Sequence, residues 1–208
     1  EGQWIRGFKY DDTKLAEGRP LNRFDIDAVV PNHPVVVGHR GGHTGVYNSM
    51  ALALAGITAE TPDPDDGRFY RDSDGVLTGL IAEQARNVFR GMIPSGSTRE
   101  QRRDGVKLIS ELMTKAGLTS VHQTGGGRND MIAFQDARAD GDMRFRMYLF
   151  PRGQLFTDLV NAGVRTGFGD EVFKIGAVKF SADGSASERT MRMSTPYVGR
   201  PDDYGILT

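Results

Sequence analysis

Lys179 stands in the apolar run Ala177-Val178-Lys179-Phe180, just ahead of Asp183-Gly184-Ser185. Burying an ammonium is costly, so a lysine in such a run is paired, depressed in pKa or chemically converted, unless it snorkels to the rim. Asp183 is the candidate partner. A lysine near the C-terminal end of a parallel strand also stands where α/β barrels place catalytic groups. His122 closes a short strand before Gln123-Thr124-Gly125-Gly126-Gly127. Its imidazole suits ligand contact or proton transfer, and equally a structural hydrogen bond. The glycines let a backbone approach a ligand, or simply turn the chain. His39 and His43 are four apart, which aligns two metal ligands only on a helix. Gly41 and Gly42 break that geometry, so the stretch reads as a polar, substrate-facing loop. His33, before Pro34, reads as a surface turn.

Elements able to position these groups are clearest in the second half. Ser97-Thr98-Arg99-Glu100 fits a capping box. Val106, Ile109, Leu112, Met113 and Ala116 follow at helical spacing and Gly117 stops the helix. A strand over 118–122, a helix over 129–139, a strand over 143–150, a helix over 154–162 and a strand over 173–180 complete an αβαβαβ order. Strands recurring every ~25–30 residues predict parallel βα crossover units. Three strands do not close a barrel, so this half reads as part of a larger α/β body.

The first half differs. Pro34 to His39 reads as a short strand, and Asn48 or Ser49 as the cap of a helix over 50–55 stopped by Gly56. Asp72-Ser73-Asp74-Gly75 reads as a hairpin turn between strands at 68–70 and 76–79. A helix from about Ile81 to Met92 leads into Ile93-Pro94-Ser95-Gly96, the expected boundary between units 1–95 and 96–208.

Composition removes several function classes. Lys and Arg number 26 against 27 Asp and Glu, for a net charge of −1, so no field is laid out for nucleic acid or anionic lipid. The absence of cysteine removes disulfides, thiolate-held zinc and thiol catalysis. It leaves the compartment open, with the cytoplasm favoured. No phosphate loop and no Gly-x-Ser-x-Gly elbow occurs. The chain opens Glu1-Gly2-Gln3-Trp4 and stops at Ile206-Leu207-Thr208, so both ends read as cut.

Five segments, in order along the chain, resemble the amidohydrolase-3, YtcJ-like group of metal-dependent hydrolases. Trp4-Ile5-Arg6-Gly7-Phe8-Lys9-Tyr10-Asp11 is similar to its G-W-I-x-G-x-G-W-D segment. Gly42-His43 through Asn48-Ser49 to Ala55-Gly56-Ile57 is similar to G-H-x-x-x-x-N-S-x-A-L-x-x-A-G-I. Asp74-Gly75-Val76-Leu77-Thr78-Gly79 with Glu83 resembles D-G-x-x-T-G-x-x-x-E. Gly117 to His122 resembles G-I-T-S-V-H, and Val178 to Ser185 resembles the segment ending in A-D-G-S.

The resemblance implies a partial TIM (β/α)8 barrel, about strands two to four, with an inserted α+β subdomain. It implies metal-assisted hydrolysis of non-peptide C–N bonds in a small-molecule substrate, with a divalent metal, zinc first. Lys179 would be the metal ligand and catalytic residue, carboxylated so that a cation becomes an oxygen donor. His43, Asn48, His122 and Asp183 are the candidate substrate contacts. The family's His-x-His pair would lie upstream of Glu1, and its later His and Asp ligands beyond Thr208. The chain departs from the family at Gln123, where an acid is common, and at Ala186-Ser187-Glu188-Arg189-Thr190, where L-G-S-R-T is usual. The expectation is an inactive internal fragment, with homo-oligomers possible in principle and no membrane or nucleic-acid partner. The competing reading is a stand-alone, non-enzymatic binding domain.

Overall fold

The computed structural model describes residues 2–94 and 96–208. The chain divides into two compact units, Glu1–Ser95 with Ser181–Thr208, and Gly96–Phe180. Residues 181–208 therefore belong with the first unit rather than with 96–180, because their hydrogen bonds run to Thr44, His43 and Arg68.

The first unit is built on a five-stranded sheet in the order β1-β2-β3-β5-β4. Its strands are β1 (Ile5–Tyr10), β2 (Val35–His39), β3 (Thr44–Tyr47), β4 (Gly67–Arg71) and β5 (Leu77–Glu83). β1 and β2 pair in parallel and the other pairs are antiparallel. The hairpin turn forms as its residues dictate: Asp72 Oδ1 accepts from the amides of Asp74 and Val76, and Gly75 takes φ +80°. Helix α1 (Arg23–Asp27) is capped by Asn22, and α2 (Ser49–Leu54) by Asn48. The core of this unit joins Val36, Tyr47, Leu52, Phe69, Ile81 and Phe89, with Tyr47 stacked on Phe89 at 4.0 Å between ring centroids. No α-helix forms over 81–92. β5 pairs with β3 as far as Ala82 and with β4 at Glu83, and a 3-10 helix, Gln84–Phe89, follows. Strand pairing satisfies the backbone of 81–83, so the helical spacing there is overridden.

The second unit carries a three-stranded parallel sheet, β6 (Ser120–Gly126), β7 (Arg146–Pro151) and β8 (Phe173–Ile175), with α3 (Arg99–Lys115), α4 (Arg128–Ala139) and α5 (Gln154–Asn161) between or before its strands. The cap of α3 is Thr98 with Gln101, one residue later than the Ser97–Glu100 pair. Met147, Leu149, Phe173 and Ile175 point from the sheet into a core shared with Val106, Phe134 and Leu155. Of the apolar positions of α3, Val106 is buried, while Leu112 is 54% exposed and Ile109 39%. β8 ends at Ile175 and does not reach Phe180. Gly176 follows, and a side chain there would collide with the rings of Tyr148 and Phe150 at 2.6–2.8 Å. Among the described residues, no helix is long and apolar enough to cross a membrane.

Candidate functional site

In the second unit, strand alternation sends Met147 and Leu149 inward and leaves His122, Thr124, Tyr148, Phe150 and Lys174 on the opposite face. His122 pairs in register with Tyr148, and its ring centroid lies 5.3 Å from those of both Tyr148 and Phe150. His122 is thus an exposed imidazole set among aromatic rings on an open sheet face. Gly125 takes φ +91°, and the space of its missing side chain is bounded by Arg152 Cδ at 3.3 Å and Lys179 Cγ at 3.9 Å. Lys179 therefore stands beside the C-terminal end of β6. It lies beyond the end of β8 and is exposed, so its ammonium is not buried in an apolar strand as its neighbours in sequence imply. Gly127 opens α4, its amide donating to Asp130 Oδ2 at 2.8 Å.

In the first unit the turn from β2 into β3 carries both His39 and His43, and their imidazoles address different carboxylates. His43 Nδ1 lies 2.9 Å from Glu83 Oε2. The His43 side chain is 29% exposed, whereas that of Glu83 is 7% exposed. Glu83 holds φ +50°, a left-handed conformation that costs a non-glycine residue about 1–3 kcal/mol, and strain of this kind clusters at functional positions. The pair makes an imidazole oriented by a buried carboxylate. A glycine at 41 is required: a side chain there would run into Glu188 Oε1.

Glu188 is buried beneath this turn. Its Oε1 accepts from the His43 amide at 3.1 Å, and its Oε2 accepts from the Thr44 amide and hydroxyl, each at 2.6 Å. His39 lies between Glu188 and Asp12, with Nδ1 3.3 Å from Glu188 Oε2 and Nε2 3.4 Å from Asp12 Oδ1. The Nε2 contact is close but misdirected, and that buried nitrogen has no hydrogen-bond partner. Asp11 accepts from the Thr13 hydroxyl at 2.7 Å and amide at 3.2 Å, and from Arg40 Nε at 2.6 Å. The Thr13 hydroxyl first, then the Thr13 amide and Arg40, outweigh burial and hold the Asp11 carboxyl below its ordinary range. Ligand atoms of Asp11, Asp12 and His39 all lie within 4.8 Å of one another, a spacing that suits a divalent metal.

Two further candidates are occupied by the fold. Asn48 is fully buried, and its carboxamide serves the backbone of Val35, Ala51, His33 and Val30. Asp183 Oδ2 accepts from the Arg192 amide at 3.0 Å within the loop after 181. Residue type alone does not distinguish Asp12 or Glu188 from the other acids of the chain. The departure of Glu188 from the usual family pattern was the one available signal.

The amidohydrolase family model matches residues 1–207. A protein named as an amidohydrolase, YtcJ of Bacillus subtilis, is 28% identical over 211 residues, which covers 99% of this chain and 39% of that protein. An N-substituted formamide deformylase of Arthrobacter pascens is 30% identical over 165 residues, covering 78% of this chain and 30% of the deformylase. The crystal structure of a metal-dependent hydrolase from Pyrococcus horikoshii superposes with a TM-score of 0.60 at 25% identity, over 100% of this chain and 40% of its own. The chain thus spans well under half the length of the relatives it matches.

Proposed function

Since the chain belongs to the amidohydrolase family, we propose that it is part of a metal-dependent hydrolase acting on non-peptide C–N bonds of a small-molecule substrate. The observation that carries this reading is the place of Lys179, beside Gly125 at the C-terminal end of β6. That end of parallel strands is where barrel enzymes assemble their sites. Gly96–Phe180 then corresponds to about strands two to four of a (β/α)8 barrel, and residues 1–95 to an inserted α+β segment. The relative named as a deformylase supports formamides as the first substrates to try.

The residues of the second unit do not by themselves fit a catalytic metal. Among the described residues, the grouping of His, Asp and Glu that could hold an ion is Asp11, Asp12 and His39, in the other unit. One exposed lysine is short of the three protein ligands of a catalytic zinc, even when carboxylated. No step is therefore assigned to an ion at Lys179 in this chain. What the second unit contributes is a lysine at the strand ends and an imidazole at His122 beside two aromatic rings.

The test is hydrolysis of N-substituted formamides with Zn2+ and bicarbonate present. The 208-residue chain should show no turnover, whereas the same chain extended in frame on both sides should turn over and lose activity to a chelator. Turnover by the 208-residue chain, or chelator-insensitive turnover by the longer one, overturns the reading. Native mass spectrometry of the longer protein should show a gain of one CO2 that Lys179→Ala removes.

A further inference from the structure

We infer that the turn from β2 into β3 is a binding site for a small carboxylate, which the chain fills with its own Glu188. Residues 181–208 are thereby docked on the first unit as a tethered ligand, and free acetate takes the same place once residue 188 is shortened to alanine. The inference does not depend on the proposed hydrolase activity, because every group it uses lies in the first unit.

Three observations carry it. The Glu188 side chain is 1% exposed, yet no cationic side chain holds it among the described residues. The arginines nearest it in the fold are engaged elsewhere, Arg189 on Asp12 at 3.3 Å and Arg200 on Asp203 at 3.2 Å. His39 Nδ1, 3.3 Å from Oε2, accepts the Gly41 amide and adds no donor. A buried carboxylate is tolerated only where hydrogen bonds replace its water, and here the turn supplies them. Oε1 accepts from the His43 amide at 3.1 Å, and Oε2 from the Thr44 amide and hydroxyl, each at 2.6 Å. Two consecutive amides converging on one anion, after a left-handed glycine at Gly42 (φ +85°), make a backbone nest of the kind that captures the terminal carboxylates of peptides. The third observation is space: Gly41 has no side chain, and Glu188 Oε1 lies where its methyl would be.

The donors fix the class of ligand. Three donors with no cation suit an anion with two acceptor oxygens, and they reject a carboxamide, whose NH2 group would face them. The missing atoms fix its size. Shortening glutamate to alanine removes the γ carbon and the carboxyl group, and acetate supplies just those atoms. Formate lacks the carbon, and propionate carries one too many for Glu188→Ala but matches Glu188→Gly. The loop around residue 188 has supports of its own. Thr190 Oγ1 accepts from the Ser185 amide and the Thr190 carbonyl from the Ile206 amide, each at 2.8 Å, and neither bond uses the Glu188 side chain. These contacts hold Arg189 at φ +56°, a conformation disfavoured for a residue with a side chain, so the nest stays roofed when the carboxylate is cut away.

The experiment compares thermal melts of the 208-residue chain and of Glu188→Ala, read by Trp4 fluorescence, in sodium acetate and in sodium chloride of equal ionic strength. In Glu188→Ala, acetate at about twenty times its dissociation constant should raise the midpoint by about 5 °C, and chloride or acetamide by less than about 1 °C. Propionate should outperform acetate in Glu188→Gly and fall behind it in Glu188→Ala. The unaltered chain should not respond, because the fold already holds a carboxylate in the site. Adding Gly41→Ala to Glu188→Ala should abolish the response, since the new methyl takes the carboxylate's place. Circular dichroism checks that each variant is folded. In the unaltered chain, NMR should detect 15N–13C coupling across the hydrogen bond from the Thr44 amide to the Glu188 carboxyl, a reading that stands even where a variant is unfolded. Absence of that coupling overturns the inference. So does a folded Glu188→Ala with no acetate-specific rise, or an equal rise in the unaltered chain, which would place the acetate elsewhere.

Discussion

Asn48→Ala separates a structural asparagine from a substrate contact. The side chain is fully buried and its Oδ1 accepts from the Val35 amide at 2.9 Å and the Ala51 amide at 3.1 Å. Its Nδ2 donates to the His33 carbonyl at 2.9 Å. Alanine removes the cap of α2, at about 1 kcal/mol. It also strands the Val35 amide, which is inaccessible to water because Val35 is 4% exposed, at about 2 kcal/mol more. His33 is half-buried, so water can take over at its carbonyl and little is added there. The expected loss is about 3 kcal/mol.

Urea unfolding followed by Trp4 fluorescence reads the right unit, since the single tryptophan packs edge-on against Phe89 in the first unit's core. With a slope of about 2 kcal/mol per molar, the midpoint should fall by about 1.5 M. Asn48→Asp keeps the capping acceptor but faces the His33 carbonyl with a second oxygen, and should fall between wild type and alanine. A shift below about 0.3 M for Asn48→Ala would show that the four hydrogen bonds hold nothing together, and would free Asn48 for a place at the substrate.

Gly79→Ala, at φ +85° and with Arg23 Cβ 2.7 Å from the new methyl, should destabilise by more than about 3 kcal/mol, against about 1–2 kcal/mol for Gly75→Ala, where nothing lies within 4 Å; paired urea melts check the difference. The Asp25 carboxyl is held at about 2 by Arg19 first and then the Asn22 amide, so its stabilisation is complete above the unfolded value near 4 and is lost as pH falls through 2. NMR titration should find that low value, and Asp25→Asn should flatten the acid limb of stability. Gly41→Ala and Glu188→Ser should each destabilise, while the double variant should recover about 1 kcal/mol relative to their sum, because serine vacates the volume the methyl needs; additivity within about 0.5 kcal/mol would refute this. Light scattering should show self-association of the chain that Leu108→Gln with Leu112→Gln reduces, since those α3 side chains are 59% and 54% exposed.

What could be read in the sequence was whatever is local. The Asp72–Gly75 turn, the Asn48 cap and the parallel order of β6, β7 and β8 each rest on residues within one turn or one crossover. The α3 cap was displaced by one position because Ser97–Glu100 and Thr98–Gln101 satisfy the same pattern, and only the second pair closes its hydrogen bonds. Helical spacing over 81–92 gave way because β5 finds its partner in β3, a four-residue strand between a glycine turn and a helix cap that carries little signal of its own. β8 stops at Ile175, short of the Lys179 run, although the Gly176 amide still donates to the Leu149 carbonyl.

The candidate site shows the same division more sharply. His43 and Glu83 belong to separate sequence segments, and nothing in either announces that they meet at 2.9 Å or that Glu83 takes a left-handed backbone. Glu188 is the clearest instance. By type it belongs on the surface, since a buried carboxylate without partners is costly. Here two amides and a hydroxyl from His43 and Thr44 converge on it, so the turn from β2 to β3 is folded around an anion that arrives from residues 145 positions away. Room for that anion exists because residue 41 has no side chain. The departure at 188 and the glycine at 41 are therefore one feature, and its consequence is a turn in which the Gly41 amide donates to His39 Nδ1 while a buried carboxylate stands 3.3 Å from the same nitrogen.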